Sequence, residues 1–238
     1  MCGRFALTAT PEELQALFGY LDGEPFPPRY NIAPTQPIAI VRHWHGARRL
    51  TLVRWGLVPW WVEDPKNFSL LINARGESVD TKPAFRDAMR YRRCLVPASG
   101  FYEWRRAAGK VGQPFWVSPR RGRPIAFAGL WDTWSDRASG GEIDSACIVT
   151  TAANATVAPI HDRMPVTIAA EDFETWLTGD PQAAARLIKP ATPDAFTAVP
   201  VSTRVNKADN DDPGLIEPVG EDIGDDAPAA TPAQGRLL

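Results

Sequence analysis

Proline interrupts almost every hydrophobic run of this chain, at 23 of its 238 positions. Proline removes a backbone donor and breaks helix interiors, so the spacing excludes long helices and leaves short strands bounded by turns. No fixed-period repeat appears, and neither a solenoid nor a regular alternation of strand and helix fits. The intervals between prolines are β-branched and aromatic. They read as strands at Ile38 to Trp44, Leu50 to Trp55, Arg93 to Val96, Phe101 to Trp104, Phe115 to Val117, Ile125 to Trp134, Ala146 to Thr151 and Val166 to Ile168. His45-Gly46 marks a hairpin turn between the first two.

Helical signals are few. Thr10-Pro11-Glu12-Glu13 combines a capping residue, a proline in the first turn and a capping-box glutamate ahead of Leu14, Leu17 and Phe18, and Gly19 ends the segment. Pro83 to Arg90, Glu171 to Leu177 and Pro181 to Ile188 complete the set. The expected fold class is therefore α+β: one β-rich domain of packed antiparallel strands, a sandwich or an open barrel, with a few short peripheral helices. It should span residues 1–219. From 220 to 238 the composition turns to Asp, Pro, Ala and Gly, which suits a disordered acidic tail.

With 44% hydrophobic residues and 23% charged, the chain can bury a core without disulfides or structural metal. No apolar run approaches the ~20 residues of a membrane span, and no basic segment leads into an apolar one at the start; the expectation is a cytoplasmic monomer with no membrane partner. Cys2, Cys94 and Cys147 are too few and too dispersed for a disulfide framework, so free thiols are expected. The formal net charge of −2 is unevenly spread. Lys207 to Leu238 holds eight acids against Lys207 and Arg236, while residues 1–206 hold 24 basic and 20 acidic side chains. A mildly basic body is compatible with a phosphate-bearing partner, and equally with a solvated surface.

Cys2 is the most unusual position. Removal of an initiator methionine ahead of a small residue would leave a thiol and a free α-amine on neighbouring carbons. An α-amine has a pKa of about 7.7 to 8 against about 10.4 for lysine, so it is the best amine for attacking an aldehyde near neutral pH. The thiol, with a reference pKa near 8.5, could then add to the imine and close a thiazolidine ring. An ordinary second residue is the plain alternative.

Short polar islands in apolar surroundings supply further candidates. Asn73 to Ser78 follows Leu70-Leu71-Ile72; Glu103 lies between Tyr102 and Trp104, where desolvation would raise its pKa towards a general acid or base; His161 sits beside Arg163. Glu103 could equally face water on a half-buried strand, and His161 could be a structural histidine. His43 and His45 read as surface residues. Three cysteines and three histidines show no ligand-pair spacing apart from His43-x-His45, too few for a metal site, and no glycine-rich loop or serine elbow is present, so neither metal nor cofactor is expected.

Together these islands resemble the SOS response-associated peptidase family, whose members shield abasic sites in single-stranded DNA. The matching pieces are Met1-Cys2-Gly3-Arg4-Phe5, Tyr30-Asn31-Ile32-Ala33-Pro34-Thr35, Trp55-Gly56-Leu57-Val58-Pro59, Ile72 to Glu77, Cys94-Leu95-Val96-Pro97, Gly100 to Trp104, Ala128-Gly129-Leu130-Trp131 and His161 to Pro165. The resemblance implies that Cys2 is the covalent nucleophile, that Asn73 orients its terminus, that Glu103 moves protons, and that His161 assists sugar ring opening and crosslink reversal. It also implies that Arg4, Arg75 and Arg163 hold phosphates of single-stranded DNA containing an abasic site, and that Trp104 and Trp61 meet bases. A cysteine-type peptidase using Cys2, including release of Met1, and a non-covalent single-strand binder are the competing readings.

Overall fold

The computed structural model describes residues 2–23, 26–107, 110–136 and 139–220. The proposed tail from 221 onward lies outside the described residues. In chain order the elements are β1 (Phe5–Leu7), α1 (Pro11–Phe18), β2 (Arg29–Ile32), β3 (Pro37–Trp44), β4 (Ala47–Trp55), β5 (Asn73–Arg75), α2 (Arg86–Tyr91), β6 (Arg93–Ala98) and β7 (Gly100–Ala107). They continue with β8 (Lys110–Pro119), β9 (Ile125–Ser135), β10 (Glu142–Ala152), β11 (Arg163–Pro165), β12 (Thr167–Ile168), α3 (Phe173–Leu177), α4 (Pro181–Ala185) and β13 (Phe196–Pro200).

Local chemistry explains the boundaries. Thr10 accepts from the Glu13 amide while Glu13 returns a bond to the Thr10 amide, closing the capping box, and Gly19 takes the left-handed conformation (φ 62°) that ends α1. His45 (φ 49°) and Gly46 (φ 79°) both occupy the left-handed region, the two-residue turn whose twist matches a β3–β4 hairpin. α2 runs over Arg86–Tyr91, so the proline and the residues just after it stay outside the helix.

Two sheets result. One has the order β13-β8-β7-β1-β2. In the other, β10-β4-β3-β6-β9 closes on itself because β9 also pairs with β10, giving a five-stranded barrel with β11, β12 and β5 attached. Closure removes the barrel's open edges, which the sequence left undecided between a sandwich and an open barrel. The expectation of antiparallel strands holds for most pairs, but β10 runs parallel to both β4 and β5.

The main core lies inside the barrel and between it and the first sheet. Phe5 packs edge-on against Trp55 and Phe127, and Phe101 bridges Phe127 to Phe196. Trp55 and Trp176 are fully buried, and each donates its indole N–H, to Ile72 O at 3.0 Å and Cys94 O at 2.8 Å. A second, smaller cluster of Ala6, Tyr102, Trp116, Val201, Val205 and Leu215 covers the outer side of β7, with Trp104 packed against it.

The segment 203–212 shows why the acidic end of the chain is not simply a tail. Asp211 accepts from the Arg29 side chain and from the Tyr30 and Asn31 amides, and Asp212 pairs with Arg204. Asn31 is fully buried; its side-chain amide donates to Val205 O, Lys207 O and Asn210 O. These bonds stitch the late segment onto β2. No helix among the described residues is long and apolar enough to cross a membrane.

Candidate functional site

The three cysteines are free and buried. Cys2 leads into β1, which is held between β2 and β7, and it is fully enclosed. Asn73, at the start of β5, donates through Nδ2 to the Cys2 carbonyl oxygen at 2.8 Å. The pairing of β5 with β10 fixes that amide, since Asn73 lies opposite Ile148. The Asn73 Oδ1 atom is buried and has no hydrogen-bond partner among the described residues.

Burial pushes the Cys2 thiol far above its ordinary range, and the charge of Glu103 adds to the effect. The reference pKa near 8.5 therefore does not hold for this thiol: burial keeps it neutral at pH 7 within the folded protein, so a base must take its proton as the sulfur attacks. Glu103 stands in electrostatic reach on β7 and is 2% exposed. Loss of water pushes its pKa up to about 7, against the lowering influence of the Trp104 amide and with a further rise from Asp162. A carboxyl half-ionised at neutral pH can both donate and accept a proton.

His161 lies in the segment just before β11, with its side chain 15% exposed. The Arg163 amide donates to its Nδ1 at 2.9 Å, which places the proton of the neutral ring on Nε2. Asp162 Oδ1 is also 2.9 Å from Nδ1, a favourable contact only for imidazolium. The Asp162 side chain is 87% exposed, whereas the Arg163 amide is fixed by the chain.

Arg75, Arg105 and residues 158–163 line a cleft of about 490 Å³ that includes His161. Asn73 is tied to Cys2 by a hydrogen bond and Glu103 acts on the thiol by its charge, while Asp162, next to His161, acts on Glu103; of these four candidate residues, His161 is the one among the residues lining the cleft. The proposed phosphate-holding arginines fare differently. Arg75 is exposed in the cleft, with no side-chain hydrogen bond or ion pair among the described residues. Arg163 also lines it, but its fork grips both Glu77 oxygens and donates to Thr150 O at 2.7 Å. Arg4 points away, donating to Asn31 Oδ1 at 2.8 Å and Val205 O at 2.7 Å.

The tryptophans also separate. Strand alternation puts Trp104 on the opposite side of β7 from Glu103, where its indole N–H donates to Asn206 Oδ1 at 2.7 Å. Trp61 is 43% exposed on the loop after β4, edge-on to Phe68, and does not line the cleft. Sequence reasoning missed Arg105. It sits two residues beyond Glu103, so the alternation that placed Glu103 would also have placed it. No group of three or more His, Cys, Asp or Glu side chains suited to a metal occurs among the described residues.

Comparison with known proteins adds an independent line. Residues 1–208 match the family model described as SOS response associated peptidase (SRAP). The abasic site processing protein YoqW of Bacillus subtilis (strain 168) is 36% identical over 223 residues, covering 91% of this chain and 99% of its own. The abasic site processing protein YedK of Escherichia coli (strain K12) is 33% identical over 232 residues, covering 92% and 100%. A crystal structure of a protein from Bacteroides thetaiotaomicron superposes with a TM-score of 0.83 at 23% identity, covering 92% of this chain and 100% of that one, which establishes a shared fold.

Proposed function

Because the chain belongs to the SOS response-associated peptidase family, we propose that it recognises abasic sites in single-stranded DNA and traps them covalently on Cys2 once Met1 has been removed. The observation that carries this reading is the enclosure of Cys2 between the Asn73 amide at 2.8 Å and a buried carboxyl poised at about pH 7. Relatives named abasic site processing proteins support the choice of substrate.

An abasic deoxyribose is in equilibrium with an open-chain aldehyde. The freed α-amine of Cys2 attacks that carbon, and loss of water gives an imine. The thiol then adds to the imine carbon, its proton passes by way of Glu103 to the ring nitrogen, and a thiazolidine results with no redox step. Asn73 fixes the Cys2 carbonyl and so limits the orientations of the terminus. His161, with a proton on Nε2, is suited to protonate the sugar ring oxygen on opening and to help reverse the adduct. Arg75 contacts phosphate, and the exposed faces of Trp104 and Trp61 offer surfaces for bases outside the cleft. We assign these roles to residues 1–219, with 220–238 as an appended acidic segment.

The test is a denaturing gel after incubating processed protein with single-stranded DNA carrying one abasic site, with the lesion in intact duplex as a slower comparison. Wild type should give a heat-stable adduct. Cys2→Ala should give none, and Cys2→Ser at most an imine trapped by borohydride. Adduct at wild-type yield from Cys2→Ala would sink the mechanism.

A further inference from the structure

Besides Arg75, the cleft contains a second guanidinium with no carboxylate partner among the described residues. Arg105 lies on β7 two residues past Glu103, hence on the same side of the strand, and it lines the cleft beside His161. Its guanidinium carbon is 5.1 Å from the centroid of the Phe115 ring, and Phe115 is the residue directly across from Glu103 in β8. Among the described residues Arg105 makes no ion pair and no side-chain hydrogen bond. A stacked guanidinium loses little freedom when a ligand engages its N–H fork, which suits it to a phosphate.

Arg163 and Arg4 are in a different situation. The Arg163 charge is matched by Glu77 and its donors are directed at Glu77 and Thr150, while those of Arg4 face Asn31 and Val205. We propose that Arg105 binds a backbone phosphate of the nucleic-acid strand as the partner of Arg75. This assignment rests on the reading of the cleft as a nucleic-acid site.

The experiment measures binding of a labelled single strand carrying a tetrahydrofuran abasic analogue, which has no aldehyde, over a salt series from 50 to 500 mM (roughly the range over which counterion release is resolved). Arg105→Ala should make the slope of log affinity against log salt shallower by about 0.7 and weaken binding about fourfold at ~0.15 M salt, as one lost phosphate contact requires. Arg75→Ala should do the same, and Arg105→Lys should keep the wild-type slope because the charge is retained. If Arg75→Ala lowers the slope and Arg105→Ala does not, the proposal is overturned while the cleft reading stands. If neither lowers it, the cleft reading itself fails.

Discussion

Replacing Glu103 by Gln separates what this carboxyl does for chemistry from what it costs the fold. The folded pKa of about 7 stands above the ordinary 4.5, and the principal cause is burial, which penalises the charged form. A rise of that size corresponds to about 3 kcal/mol, and because the side chain is 2% exposed little of it is screened. The sign follows from proton counts. Between pH 4.5 and 7 the folded protein holds a proton that the unfolded chain has released, so the stabilising contribution is complete below 4.5 and is lost as pH rises through 7. Above that, the wild type folds with a buried charge. Glutamine keeps the shape and an oxygen that can accept from the Trp104 amide, without the charge. At pH 8 Glu103→Gln should therefore be the more stable protein by up to about 3 kcal/mol, or about 6 to 12 °C in Tm for a chain of this size. At pH 4 the two should melt together. Adduct formation should slow by about 10² to 10⁴, and the inflection of the rate near pH 7 should vanish. Thermal melts from pH 4 to 8, paired with single-turnover gels, measure both effects. A variant that melts at or below the wild-type temperature at pH 8 would refute the assignment of a desolvated carboxyl at this position.

Two further substitutions probe the frame around the site. Asn73→Leu keeps the volume and removes the donor to the Cys2 carbonyl, so single-turnover adduct formation should slow by about 10²-fold while binding of the tetrahydrofuran strand stays near wild type. Gly129→Ala would place a methyl group 2.8 Å from Cys94 Sγ and 2.9 Å from Val96 Cγ2 inside the barrel, and chemical denaturation should show a loss of about 1 to 3 kcal/mol.

The parts of this structure governed by neighbouring residues were legible in the sequence. The capping box of α1, the His45-Gly46 turn and the long strands of the barrel all declare themselves through side chains a few positions apart. β1, β2, β5 and β13 did not, being three to five residues long and held by partners distant in the chain. Arg29–Ile32 acquires its place from Asp211, about 180 residues later. The parallel pairing of β10 with β5, which sets Asn73 against Cys2, has no local signature. The candidate reactive residues Cys2, Asn73, Glu103 and His161 were marked together by motif resemblance. The same resemblance treated Arg4, Arg75 and Arg163 alike, and only the tertiary partners distinguish the arginine that faces the cleft without a carboxylate from the two that already have acceptors.

The position of β1 sets an order of events during synthesis. Phe5–Leu7 is hydrogen-bonded on one side to β2 and on the other to β7, and Cys2 just ahead of it is wholly enclosed. While the nascent chain is shorter than about 107 residues, β7 is still missing, and the leading residues have no complete sheet to join. At roughly 5 to 20 residues per second that interval lasts about 5 to 20 s. On the proposed mechanism, methionine excision occurs within that interval or competes with folding, because afterwards the bond to be cut adjoins Cys2, which has no exposed surface. Cells that translate faster, or that are short of excision capacity, should accumulate a fraction of folded but unprocessed chains that remain inert. The yield of active molecules would then be decided at the ribosome, by a race between a protease and a β-strand.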